Sequence, residues 1–149
     1  MAEEDKKAKK SNNEDERQEI VIDASDAVLG RVASYAAKQS LLGKRIIILN
    51  CNNALLTGRR RMIINEYNIA RRRGGRSLNG PHFPKNSERI MKRTVRGMLS
   101  YTQQRGLDAL KRIICYCNIP KEYESSNKIS LAKEVKAKTM PLQDLSRQI

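Results

Sequence analysis

Arg89, Lys92, Arg93 and Arg96 fall at positions i, i+3, i+4 and i+7, a spacing that gathers all four on one side of an α-helix. Met91, Val95 and Met98 form a second set at i, i+4 and i+7, which at the α-helical 100° per residue lies roughly 140° away around the same helix. One side is expected to pack on a core and the other to stand out as a cationic ridge. A charged helix face is ordinarily no more than a solvated surface. Here, however, the only acid on the helix is Glu88 at its first turn, and from Arg59 to Arg112 fifteen bases stand against Glu66, Glu88 and Asp108. Besides the ridge, the bases expected to contact a ligand are Arg59, Arg60, Arg61, Arg71, Arg72, Arg73, Arg76, Lys85 and Arg105. Twelve of the fifteen are arginine, whose planar guanidinium binds phosphate bidentately and stacks on bases. The chemistry this pattern supports is capture of a polyphosphate, and His82, in the loop before the ridge, is expected to join it.

Catalytic chemistry finds less to work with. The first strand-to-helix turn, Asp23 to Gly30, holds one glycine and no GxGxxG or P-loop pattern, so a nucleotide phosphate cradle is missing. One histidine and three cysteines without CxxC spacing make a structural zinc site improbable, and no cofactor is expected. Asp23 ends a strand, where capping or ion pairing is a more frequent duty for aspartate than catalysis. Aromatic residues are 4% of the chain, too few for a sheet that stacks unpaired bases, so recognition of folded RNA shape and backbone is expected. Composition alone does not choose between RNA and DNA, although no zinc finger, zipper or DNA-reading helix pair is visible.

The whole chain of 149 residues carries 30 basic and 16 acidic residues, a formal charge of +14. A charge of that size repels itself unless a polyanion neutralises it. No apolar run reaches the roughly 20 residues of a membrane span. The first residues, Met-Ala-Glu-Glu-Asp followed by lysines, lack the apolar core of a secretory signal, and the expected compartment is the cytosol. Cys51, Cys115 and Cys117 are an odd number, with the last two at i and i+2, and are expected to be reduced, buried thiols. Residues 1–19 hold seven acids and five bases without an aliphatic side chain larger than alanine after Met1. This tail is expected to be disordered, which leaves the folded part still more basic than the total.

The positioning elements follow from periodicity. Ile20-Val21-Ile22 reads as a strand. Leu29, Val32, Ala33, Ala36, Ala37 and Leu41 make one helical stripe stopped by Gly43, and Arg45 to Leu49 is an apolar strand of the kind covered on both faces of a parallel sheet. Together they form a βαβ unit. A helix is expected from Arg59 to Arg73, with Met62, Ile63, Tyr67 and Ala70 facing inward, and a loop from Gly74 to Pro84. The ridge helix follows with Ser87 as its N-cap. After a turn and a short helix comes a strand from Ile113 to Cys117 closed by Pro120. The domain is expected over residues 20–120, with 121–149 as a polar extension carrying one weak helix after Pro141.

These residues also resemble the L-thirteen family of large-subunit ribosomal proteins over roughly residues 20–123. The match rests on Ile22-Asp23, Leu29-Gly30-Arg31, Ala33-Ser34, Ala37-Lys38 and Leu42-Gly43-Lys44. It continues through Gly80-Pro81-His82-Phe83, Ser87, Arg89-Ile90 and above all Arg93-Thr94-Val95-Arg96-Gly97-Met98-Leu99, then Arg105-Gly106, Ala109-Leu110, Arg112, Ile119-Pro120 and Tyr123. The resemblance implies a three-layer α/β/α domain around a small, mainly parallel sheet, seated in large-subunit ribosomal RNA beside other ribosomal proteins, taking part in subunit assembly, with no catalysis and no small-molecule substrate. It places the loop from Arg71 to Pro84 and the helix with Arg89, Arg93 and Arg96 toward RNA. Ser100 stands where the family usually has proline, and the charged tail has no counterpart in the family pattern. Lacking a long helical extension, the chain is similar to the compact archaeal type or a reduced eukaryotic one. Two other classes remain in view. An RNA-acting enzyme would need a carboxylate cluster or cofactor loop, and a free regulatory RNA-binding protein would need only the same cationic surface.

Overall fold

A computed structural model describes residues 19–73 and 83–149. Most of the tail, and with it Arg76 and His82, therefore lies outside the described residues, whereas Glu19, read as the tail's last residue, opens the first strand. The elements are β1 (Glu19–Asp23), α1 (Leu29–Leu41), β2 (Arg45–Leu49), β3 (Leu55–Thr57), α2 (Arg60–Arg72), α3 (Ser87–Gly97), α4 (Gln104–Lys111), β4 (Ile113–Cys115), β5 (Lys128–Ser130), β6 (Thr139–Pro141) and α5 (Leu142–Gln148). Four strands pair in the order β4-β2-β1-β5, all parallel, and β3 pairs antiparallel with β6 in a separate two-stranded ribbon. This is the α/β architecture with a small parallel sheet that the sequence implied.

The pleat divides the apolar strands between two faces. Ile22, Ile46, Ile48 and Ile113 point into one core with Val32, Ala33 and Ala36 of α1, Ile90, Met91 and Val95 of α3, and Ala109 of α4. Val21, Ile47 and Leu49 point the other way, where Tyr116, Ile119 and Tyr123 of the segment after β4 cover them. Among the described residues this second cover includes one short 3-10 turn, Lys121–Tyr123. α1 ends where Gly43 takes a φ of +94° and its N–H returns to the Ser40 carbonyl at 3.0 Å, a left-handed position that glycine adopts without steric cost.

Residues 121–149 are woven into this core. β5 adds to β1, with Val21 opposite Lys128 and Asp23 opposite Ser130. Leu142 and Leu145 of α5 are fully buried and Ile149 nearly so, while the Leu142 N–H donates to the Ala54 carbonyl at 2.8 Å. The last strand of the sequence reading is also shorter than expected: β4 stops at Cys115. Cys51 is buried as expected, but Cys115 and Cys117 are only half-buried. The neighbouring Cys115 thiol, then burial, pushes the Cys51 thiol well up, so it stays protonated.

Candidate nucleic-acid interface

α3 starts one residue earlier than a Ser87 cap would require. Asn86 occupies the cap position without a side-chain cap bond, and Ser87 is buried in the first turn with its hydroxyl unpartnered. Ser87, Ile90, Met91 and Val95 are buried, each close to one side of a 100° wheel. Met98 is not part of this face: it is 44% exposed, and Leu99, at 5%, takes its place. The reason lies in the exit from the helix. The Met98 and Leu99 N–H groups bond back three residues, to the Val95 and Arg96 carbonyls at 3.0 and 3.1 Å, and such a 3-10-like turn advances each residue further around the axis than an α-turn. Beyond it the chain folds back so tightly that a Cβ on Gly106 would stand 2.1 Å from the Ser100 carbonyl oxygen. Glycine there lets α4 close beside α3.

On the opposite side of α3, Arg89, Lys92, Arg93 and Arg96 line one cleft of about 320 Å³ with Pro84 and Leu110. No carboxylate lines it among the described residues. Two of the guanidinium groups rest on rings. The Arg93 guanidinium carbon lies 3.8 Å from the centre of the Phe83 ring, and that of Arg96 lies 5.2 Å from the Tyr101 ring, both within cation–π range. Phe83 in turn meets Tyr67 of α2 edge-on, with centroids 6.3 Å apart. Burial pushes the Tyr67 hydroxyl above its ordinary pKa, with the Arg93 charge opposing and Glu66 adding to the rise. A guanidinium already seated on a ring has fewer rotamers to lose when a phosphate arrives, a saving of order 0.5–1.5 kcal/mol per side chain. Sequence reasoning placed Phe83 in the loop that ends at Pro84 and in the family-matching stretch from Gly80, but gave it no role beside Arg93, and did not single out Tyr101.

 Phe83 stands ten residues before Arg93 and Tyr101 five after Arg96, outside the helix in both cases, so a helical wheel does not reach either of them.

The remaining bases are scattered. Lys85 is exposed just ahead of α3, and Arg105 is exposed in the first turn of α4. On α2 and at its two ends, Arg59, Arg61, Arg72 and Arg73 are exposed, but Arg60 pairs with Asp144 of α5 at 3.5 Å and the Arg71 guanidinium donates to the Ile149 backbone oxygen. Arg112 also works inside the fold, its Nη1 donating to the Ser40 carbonyl at 3.4 Å. The inner side of α2 is narrower than expected: Ile63 is buried and Tyr67 half-buried, whereas Met62 is 58% exposed. Asp23 serves a turn, accepting hydrogen bonds from the Ser25 N–H at 3.0 Å and Asn50 Nδ2 at 2.9 Å. Burial alone would raise its pKa, but these bonds and the Lys128 charge hold the carboxyl below its ordinary value. Among the described residues, no group of three His, Cys, Asp or Glu side chains could hold a metal ion, and no helix is long and apolar enough to cross a membrane.

Comparison with known proteins bears on what this cleft serves. Residues 17–122 match the family model described as ribosomal protein L13. The chain belongs to the ribosomal protein L13 family. Relatives named large ribosomal subunit protein uL13 include that of Methanococcoides burtonii, 39% identical over 134 residues that span 87% of this chain and 96% of the relative. The protein of Methanosarcina barkeri is 44% identical over 75% of this chain and 80% of its own length, and that of Picrophilus torridus 42% identical over 72% and 78%. The L13 match takes in α3, the loop before it and α4, and ends before β5, β6 and α5.

Proposed function

We propose that this chain is a structural, non-enzymatic component of the large ribosomal subunit in the cytoplasm, where it binds ribosomal RNA through the arginine-lined face of α3 and supports subunit assembly and translation. The observation that carries the reading is the convergence of Arg89, Lys92, Arg93 and Arg96 on one acid-free cleft, with Arg93 and Arg96 seated on aromatic rings. Family membership supplies the context, since its named relatives are large-subunit proteins. Phosphates entering the cleft would displace counterions, and that release would supply most of the binding energy. Lys85, next to the cleft residue Pro84, and Arg105, on the same helix as the cleft residue Leu110, are exposed and are read as further contacts. Arg59, Arg61, Arg72 and Arg73 are exposed on α2 and at its two ends and are read as further RNA contacts, as are Arg76 and His82 from their residue types alone, whereas Arg60 and Arg71 divide their charge between RNA and α5. Neighbouring ribosomal proteins are the other expected partners.

The test is binding to purified large-subunit ribosomal RNA across a salt series, with sedimentation of the native protein from lysate as its cellular counterpart. Each phosphate neutralised adds about 0.7–0.9 to the magnitude of the log–log salt slope. A slope near zero, or a protein that stays at the top of the gradient away from large subunits and polysomes, overturns the reading.

A further inference from the structure

A second basic groove lies on the outward side of α1. Arg31, Ser34, Tyr35 and Lys38 fall at i, i+3, i+4 and i+7, opposite the buried stripe of Leu29, Val32, Ala33 and Ala36. With Leu131 and Lys133 from the segment after β5 they line a cleft of about 440 Å³. Arg31, Lys38 and Lys133 are exposed, Tyr35 and Leu131 are partly buried against the core, and among the described residues no carboxylate lines the groove. It shares no lining residue with the cleft on α3. One wall comes from within the segment that matches the family model, and the other, Leu131 and Lys133, from beyond it.

We propose that this groove is a second ribosomal RNA site, in which Arg31, Lys38 and Lys133 hold backbone phosphates while Tyr35 and Leu131 pack against a base or ribose. The proposal rests on the reading that the chain binds ribosomal RNA. Charge selects the occupant: three cations without an acid attract a polyanion, and an aromatic ring set among cations is the combination that holds a nucleotide by both its phosphate and its flat face. An α-helix with bases on its outer stripe and no acid anywhere along it lacks the alternating charges of an ordinary solvated face. Bound at both grooves, one protein would hold two separate RNA segments in fixed relation.

The experiment compares hydroxyl-radical footprints and affinities on purified large-subunit ribosomal RNA for the parent, the triple variant Arg31→Ala/Lys38→Ala/Lys133→Ala, and the α3 variant Arg93→Ala/Arg96→Ala. The triple variant is expected to bind roughly tenfold more weakly, with a salt slope smaller by about 2 to 3. It should lose one set of protected nucleotides while keeping those that the α3 variant loses. The charge-preserving variant Arg31→Lys/Lys38→Arg/Lys133→Arg should restore the footprint, which separates lost charge from lost fold. A triple variant with parental affinity and footprint overturns the proposal, and is the result expected if an acidic protein fills the groove instead. Loss of the same nucleotides in both variants overturns it too, because the two grooves would then be one site. If the triple variant loses its protections while the α3 variant binds like the parent, the second site stands and the reading of α3 falls. If neither variant changes anything, both fall.

Discussion

α2 and α3 carry arginines in comparable number, yet the two helices hold them differently. On α3 the four bases face one cleft and two lie on rings, above a buried row of Ile90, Met91 and Val95. On α2 only Ile63 is fully inside, and two of the arginines turn back to α5 through Asp144 and the Ile149 backbone oxygen. The difference teaches that arginine density marks a region and not a duty. What distinguishes a ligand surface is whether the cations converge and whether something beneath them fixes where they point.

The comparison breaks most visibly through the support under α3. Met91 is fully buried, so Met91→Ala should lower stability by about 2–5 kcal/mol. Met98→Ala, on an exposed side chain, should change it by less than about 0.5 kcal/mol. Thermal or urea unfolding of the two variants side by side checks the assignment, and equal losses would mean that the helix exit has been misplaced.

Arg93→Ala/Arg96→Ala comes next. Melting should stay close to the parent, since alanine favours helix and exposed arginines add little, while the salt slope for ribosomal RNA falls by about 1.4–1.8 as two phosphate contacts disappear. The matching pair on α2, Arg61→Ala/Arg72→Ala, should lose less affinity; an equal or larger loss would erase the distinction between the helices. Smaller again is Phe83→Leu, which keeps bulk but removes the ring beneath Arg93. Because the ring contact is already present before RNA binds, its loss costs the spared rotamer freedom, about 0.5–1 kcal/mol, which corresponds to an affinity roughly two- to fivefold weaker, an effect that should vanish in an Arg93→Ala background.

The smallest effect concerns the tie from α2 to α5. Both members of the Arg60–Asp144 pair are substantially exposed, so a double-mutant cycle with Arg60→Ala and Asp144→Ala should give a coupling of no more than about 0.5 kcal/mol. A coupling above about 1 kcal/mol would make α5 an anchor for α2 rather than a neighbour.

Legibility in the sequence tracked the length and uniformity of each element. α1 and β2 appear at the boundaries that periodicity assigns them, because a helix of 13 residues with an apolar stripe from Leu29 to Ala37 and a strand of four consecutive aliphatics each repeat one message several times, although Ser40 and not the exposed Leu41 closes the stripe. β5, Lys-Ile-Ser, and β6, Thr-Met-Pro, have three residues apiece, too few for any period to emerge, so the segment carrying them reads as polar extension. The buried run in and after α5 was visible in principle, since Leu142, Leu145 and Ile149 recur at i, i+3 and i+7. Met98 failed for the opposite reason: the period was extrapolated one residue past Gly97, where the helix ends. For the candidate site, the convergence of Arg89, Lys92, Arg93 and Arg96 followed from spacing within one helix. The rings beneath them and the bonds that occupy Arg60 and Arg71 depend on contacts between elements, which a local pattern does not encode.

The place of β1 between β2 and β5 has a consequence for biosynthesis. Once residue 49 has emerged, β1 and β2 can pair around α1, but the other side of β1 waits for residues 128–130. At a translation rate of roughly 5–20 residues per second, that hydrogen-bonding edge stays unfilled for several seconds, with Ile22 and Val21 beside it. Unpaired strand edges of this kind template association with other chains, and a closing contact so distant in sequence forms slowly even after synthesis. The nascent protein thus passes through an interval that opens with bases and acids in balance over residues 1–49, in which the speed with which it meets RNA or a chaperone, rather than its finished fold, keeps it from aggregating.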